Sequence, residues 1–306
     1  ESLSSFVAAY QTVTLLKLGE LWAVPIMLRL ALIENLRRVG IQTAGALDAV
    51  YGYDGPLGIT IEEGAPVIRV WAPSALSVSL QLFEDSETKT FTAVSMTRDD
   101  ATGVWSAKGD SSWLGKYYLY DVEVYVPKTG KIEKNLVTDP YSVSLSMNSL
   151  RSQIVDLADP GLKPKDWDKL AKPALGAFED SVIYELHLRD FSVYDTSVPE
   201  GYRGTYLAFT EENSDGMKHL KKLADAGLTH IHLLPVFDIA SINEDKTTWV
   251  KVDPVELAGY APNSDQQQLA LAPYKDQDGF NWGYDPFHYT APEGSYATNP
   301  DGSTRV

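Results

Sequence analysis

Trp282 and Tyr284 flank Gly283 in the run Phe280-Asn281-Trp282-Gly283-Tyr284-Asp285-Pro286. Aromatic faces cover the apolar C–H faces of pyranose rings, while carboxylates and amides take the hydroxyls. A glycine turn that presents two rings and fixes a carboxylate beside a proline has that equipment. Tyr284, Asp285 and Trp282 are therefore the candidate substrate-binding residues. The plainer alternative is that both rings only pack their loop onto the rest of the molecule.

Other groups could carry chemistry but give weaker patterns. Glu185 and His187 are two apart, on one face if the segment is a strand, so contact between them is expected. With Asp190 and Asp238 they could be taken for a catalytic set, although a polar pair bracing a strand end is the simpler reading. His230 and His232 also share a strand face. Without cysteine and without a third ligand they suit a satisfied core or rim pair better than a metal site. No metal ligand and no cofactor motif is assigned.

The elements that must position these residues fall into three patterns. Residues 1 to about 40 are rich in Leu, Ile and Ala and read as helical, with a break expected at Pro25. Their apolar run Leu21–Ile33 is too short to span a bilayer. From Tyr51 to Val143 the period becomes two. Val67–Trp71, Ser77–Leu82 and Tyr117–Val126 alternate between turn signals such as Gly55-Pro56, Asp99–Gly103 and Lys128–Gly130. Short strands so spaced predict a β-sandwich over residues 47–158. Trp71 is expected in its core.

A linker rich in Pro, Lys and Asp covers about 159–173. Beyond it, Val182–Leu188 reads as a strand and Ser214–Ala226 as an amphipathic helix with Ser214 or Asp215 as N-cap and Gly227 past its end. Thr229–Pro235 reads as a second strand. Strand, helix and strand predict a parallel βαβ unit, and the long loop after the second strand is where α/β barrels build their sites. Residues 174–306 are thus expected to begin a (β/α)8 barrel.

Composition narrows the function classes. The 306 residues contain 42 acidic and 26 basic side chains, a net charge of -16, with 44% hydrophobic and 11% aromatic residues. Such a chain folds around a core and repels phosphate backbones and anionic lipid surfaces, so neither nucleic acid nor membrane is an expected partner. A neutral glucan is not repelled. The absence of cysteine removes disulfides and thiolate chemistry and suits reducing and oxidising compartments equally. No signal-peptide pattern opens the sequence, a state that a cleaved leader would share.

The loop motif resembles the Tyr-Asn-Trp-Gly-Tyr-Asp/Asn-Pro sequence of pullulanases and limit dextrinases, α-1,6-glucan debranching enzymes of the α-amylase superfamily. Phe280 replaces the usual tyrosine. Ile183–Ser192 is similar to that family's first barrel strand, and Gly216–Leu234 to its first helix and second strand. Tyr53–Gly58 and Val70–Pro73 are similar to the sandwich that precedes the barrel. The resemblance, from about Leu47 to Val306, implies binding of α-glucan, a retaining mechanism, and Tyr284 stacked under the glucose at the cleavage site with Asp285 bonding nearby. It places the catalytic carboxylates on barrel strands 4, 5 and 7, which no segment here matches. No catalytic residue is therefore assigned, and the 306 residues alone are expected to be inactive. Calcium is a candidate ion for the complete enzyme. Residues Gly19–Arg38 instead resemble a helical segment of cyclic β-1,2-glucan synthases, which implies a fusion or a native extension joined near Gly40.

Overall fold

Alternating apolar residues build two antiparallel sheets. The computed structural model describes residues 45–306. The helical reading of residues 1–40 and their glucan-synthase resemblance lie outside the described residues. Residues 55–99 and 104–306 form one unit, and 45–54 with 100–103 are grouped separately.

The first sheet holds β1 (Gly58–Glu62), β2 (Ala65–Trp71), β5 (Thr97–Arg98) and β6 (Val104–Lys108) in the order β1-β2-β6-β5. The second holds β3 (Ala75–Phe83), β4 (Thr92–Ser95), β7 (Tyr117–Val126) and β8 (Lys131–Val137) in the order β4-β3-β7-β8, and β9 (Ser152–Gln153) pairs with β7. Ile68 and Val70 of β2, Trp105 and Ala107 of β6, Val78, Leu80 and Leu82 of β3, and Tyr118 and Tyr120 of β7 form the buried core. Each fully buried aliphatic side chain contributes about 1.5–3 kcal/mol. A register shift between Ala75 and Ser77 lets Ala75 and Val78, three apart, both join that core. The predicted sandwich is present. Trp71 is only half-buried, and Trp105 takes the core position, its indole N–H donating to the Ala72 carbonyl at 3.1 Å.

Two tyrosine hydroxyls enter the core because they share an acceptor. Tyr118 and Tyr120 both donate to Asp139 Oδ2, at 2.6 and 3.0 Å. Burial pushes the Asp139 carboxyl up, and the two hydroxyls oppose that shift. Burial and the adjacent carboxylate hold both tyrosines well above the ordinary phenol range.

Beyond the exposed residues 159–173, β10 (Ile183–Leu186) pairs in parallel with β11 (His230–Leu233), with Glu185 opposite His232. Between them lie α1 (Leu188–Ser192) and α2 (Asp215–Asp225). Ser214 is the N-cap of α2 and accepts the Met217 N–H. The helix closes with Gly227 at φ +110, its N–H donating to Ala224 O and that of Leu228 to Leu223 O, a Schellman ending. These bounds match the sequence expectation. Two short helices, α3 (Pro254–Ala258) and α4 (Gln266–Leu271), interrupt the long segment after β11.

Candidate functional site

The motif loop is held from below by its polar atoms while Trp282 and Tyr284 stand exposed. The Gly283 N–H donates to Asn281 Oδ1 at 2.7 Å, an Asx turn, and Asn281 Nδ2 donates to Ser241 Oγ at 2.8 Å. Gly283 has φ +86, and a Cβ there would stand 2.8 Å from the Pro235 carbonyl oxygen, so the position requires glycine. The Ala240 N–H donates to Asp285 O at 2.9 Å, and that of Phe287 to Asp238 O at 2.9 Å. The loop backbone is therefore fixed on both sides of the turn.

His187 ties this loop to the end of β10. Its Nδ1 accepts the Asp190 N–H and caps α1, which leaves Nε2 to donate to Asn281 O at 2.7 Å. This pattern fixes the neutral Nε2–H tautomer. The imidazole is buried among Phe280, Trp282 and Tyr296, at centroid distances of 5.6, 6.1 and 5.9 Å. Trp282 packs edge-on against Phe280 at 5.2 Å, yet is 59% exposed, and Tyr284 is 70% exposed. Trp282 thus does both things its type allows, bracing the loop with one edge and presenting the rest. The Asp285 side chain is exposed beside Tyr284.

The expected Glu185–His187 contact is not made. His187 falls just past the strand and turns inward as a helix cap, whereas Glu185 reaches across the parallel register to His232 Nδ1 at 3.2 Å. His230 Nδ1 lies 2.8 Å from Thr229 Oγ1. Both strand histidines are exposed, so they form a rim and not a core.

Sequence reading missed a buried ionic cluster beneath the loop. Arg305, fully enclosed, donates from Nη2 to Glu244 Oε2 at 2.7 Å and from Nη1 to Asp238 Oδ1 at 3.4 Å. Its remaining N–H groups reach Ser146 O and Pro300 O. Asp238 also accepts Ser149 Oγ at 2.6 Å and contacts His288 Nδ1 at 2.7 Å, whose Nε2 meets Thr138 Oγ1 at 2.7 Å. Glu293 accepts the N–H groups of Ile239 and Ser295. Burial pushes the Glu293 carboxyl up to about 7, with the Glu244 charge adding to the shift. Burial raises Glu244 as well, against the pull of Arg305.

Asp238, Glu244 and Glu293 bring carboxylate oxygens within 4.8 Å of one another, a donor set that suits a hard cation such as calcium. The fit fails on occupancy. Arg305 already supplies the positive charge to two of the three carboxylates, and main-chain N–H groups take both oxygens of Glu293. The cluster is a structural brace, and Asp238 belongs to it. No local sequence pattern signals such a set, because its members come from distant segments.

Residues 56–142 match the family model of carbohydrate-binding module 48, the isoamylase N-terminal domain. The chain is 42% identical over 273 residues to the chloroplastic pullulanase 1 of Arabidopsis thaliana, covering 89% of this chain and 28% of that protein. It is 40% identical over 305 residues to the pullulanase of Klebsiella pneumoniae, covering 87% of this chain and 28% of that one. Among solved structures, the Klebsiella pneumoniae pullulanase complexed with maltotriose superposes with a TM-score of 0.78 at 38% identity, covering 85% of this chain and 28% of that one. The pullulanase of Bacillus acidopullulyticus superposes with a TM-score of 0.64 at 31% identity, covering 84% and 27%. The chain is thus similar to pullulanases along most of its length, and it spans 28% of the length of these two curated relatives.

Proposed function

We propose that this chain is part of an α-1,6-glucan debranching hydrolase, in which the sandwich precedes the first strands of a (β/α)8 barrel. The observation that carries the reading is the motif loop, which holds Trp282 and Tyr284 outward on a backbone fixed by Gly283, Asn281 and His187. Such pre-organisation suits a sugar platform, because little freedom remains to be lost on binding. The parallel pairing of β10 and β11 and the identity to pullulanases support the barrel assignment.

In this reading Tyr284 stacks under a glucose unit at the cleavage site, Asp285 takes a hydroxyl, and Trp282 walls the subsite. Hydrolysis proceeds in the complete enzyme with retention, by a carboxylate nucleophile and a general acid about 5 Å apart. Those carboxylates correspond to no residue among these 306, and the domains are residues 47–158 for the sandwich and 174–306 for the barrel portion. The partner is a branched α-glucan or its oligosaccharides.

A second reading, a non-catalytic α-glucan-binding module, is favoured by the family match of the sandwich alone. Affinity electrophoresis in an amylopectin gel separates the two. Tyr284→Ala should weaken retardation about tenfold if the motif loop binds glucan. Loss of retardation in Tyr125→Ala, the exposed aromatic of β7, with Tyr284→Ala unchanged, would favour the module. Pullulan hydrolysis by the 306-residue chain would sink the assignment of the catalytic carboxylates to segments outside it.

A further inference from the structure

A chain of net charge -16 gathers four cations around one cavity. The cavity, of about 370 Å³, is lined by Arg189, Arg203, Lys246 and Lys251, with Trp249 and Ser295, and Glu200 is its one acidic group. Arg189 is already paired, its Nη1 lying 2.8 Å from Asp190 Oδ1. The other three make no ion pair, although Arg203 feels the charge of Asp195 and Lys246 that of Glu293. Arg203 donates only to the carbonyls of Val198 and Thr196, at 2.9 and 3.4 Å. Lys246 donates to the Ala297 carbonyl at 2.8 Å. Among the described residues, no carboxylate lies within ion-pair distance of Arg203, Lys246 or Lys251. Ser295 Oγ is also buried on this lining, close to the Glu293 carboxyl but outside good hydrogen-bond geometry. A buried hydroxyl in poor geometry gains from a ligand that completes it, and cations bonded only to carbonyls keep their charge for an anion.

Carbonyl anchoring holds Arg203 and Lys246 in place while leaving their charge available, which is the arrangement a doubly charged oxyanion requires. A neutral glucan would make no use of that charge. Trp249 supplies the second half of a recognition surface. It packs over Gly279, lines this cavity, and also lines an adjoining trough of about 600 Å³ that shares Arg189 and Lys251 and reaches Phe280 of the motif loop. An aromatic face next to a cationic pocket suits a pyranose ring bearing a phosphoryl group. We propose that this cavity binds a sugar phosphate, the phosphoryl group among Arg203, Lys246, Lys251 and Ser295 and the ring against Trp249. The inference stands apart from the debranching reading, since it uses neither the catalytic carboxylates nor Tyr284.

Isothermal titration of the 306-residue chain with glucose 6-phosphate, glucose, inorganic phosphate and a phosphorylated maltodextrin tests it. Glucose 6-phosphate should bind at least about tenfold more tightly than glucose or inorganic phosphate, and should weaken as salt rises. Lys251→Glu, at an exposed position, and Lys246→Met should each lose about tenfold or more, with unchanged circular dichroism and unchanged retardation in amylopectin. Tighter binding of the phosphorylated maltodextrin would identify the phosphoryl group as one carried on a glucan, and equal binding as one carried on a free sugar. Glucose binding as well as glucose 6-phosphate, or both variants binding it like the parent chain, would overturn the proposal. Inorganic phosphate binding as tightly as the sugar phosphate would overturn the role given to Trp249.

Discussion

The sandwich and the segment after β11 combine apolar and ionic packing in different proportions. In the sandwich, two sheets close over Ile68, Leu80, Tyr118 and Tyr120, and nearly every inward position is apolar. After β11, a smaller apolar cluster of Ile239, Ile242 and Tyr296 is joined by groups that such packing alone would exclude: Arg305, Asp238, Glu244, Glu293 and His288, all buried. A scaffold can be held mainly by burial, because its geometry tolerates local repacking. The loop that carries Trp282 and Tyr284 is fixed by directional bonds as well.

The comparison breaks most sharply at Arg305. Arg305→Met strands two buried carboxylates and should cost about 3–5 kcal/mol. Leu80→Ala in the sandwich should cost about 2–5 kcal/mol through a cavity. Urea denaturation gives both totals, and hydrogen exchange should localise the loss to the loop in the first variant and to the sandwich in the second. Equal loosening of both regions in either variant would show that they are not held separately.

pH should distinguish the regions next. Glu293 has a folded-state pKa of about 7 against its ordinary 4.5. The folded chain therefore keeps a proton that the unfolded chain releases between those values. This contribution to stability is greatest below 4.5, falls as pH rises to 7, and levels off above it. At about 1.4 kcal/mol per unit the fall amounts to roughly 3 kcal/mol. The upward shifts of Glu244 and Asp139 have the same sign. Urea midpoints at pH 5 and 8 should differ for the parent chain, and Glu293→Gln should flatten the difference. A slope that persists in the variant would move its origin elsewhere.

Smaller effects sharpen the same point. Gly283→Ala forces an L side chain to φ +86 against the Pro235 carbonyl, at about 1–3 kcal/mol, and should weaken glucan binding without touching the rings. Tyr284→Ala should change stability by less than about 0.5 kcal/mol, because the ring is 70% exposed. A thermal melt that drops well beyond that would mean Tyr284 packs the loop and does not serve as a platform.

The legibility of the sequence follows the same division. Period-two alternation located β2, β3 and β7, and Ser214 with Gly227 bounded α2, because those signals act on neighbouring residues. The motif loop was visible for the same local reason. Glu185 was expected to meet His187, but strand pairing sent it to His232, a choice that depends on a register set 47 residues away. Arg305 and Glu293 resembled ordinary surface charges, since their partners are brought together only by the finished fold. The cavity around Trp249 was invisible because its cations come from three separate segments.

The reach of the Arg305 guanidinium has a kinetic consequence. Nη2 closes on Ser146 O, 159 residues upstream, and His288 closes on Thr138 across 150. The hairpins of the sandwich need far shorter excursions, so they can form while the later chain is still searching. Arg305, Asp238 and His288 then close on carbonyls and hydroxyls of residues 138–149 that are already in place, which makes that stretch a template for the later chain.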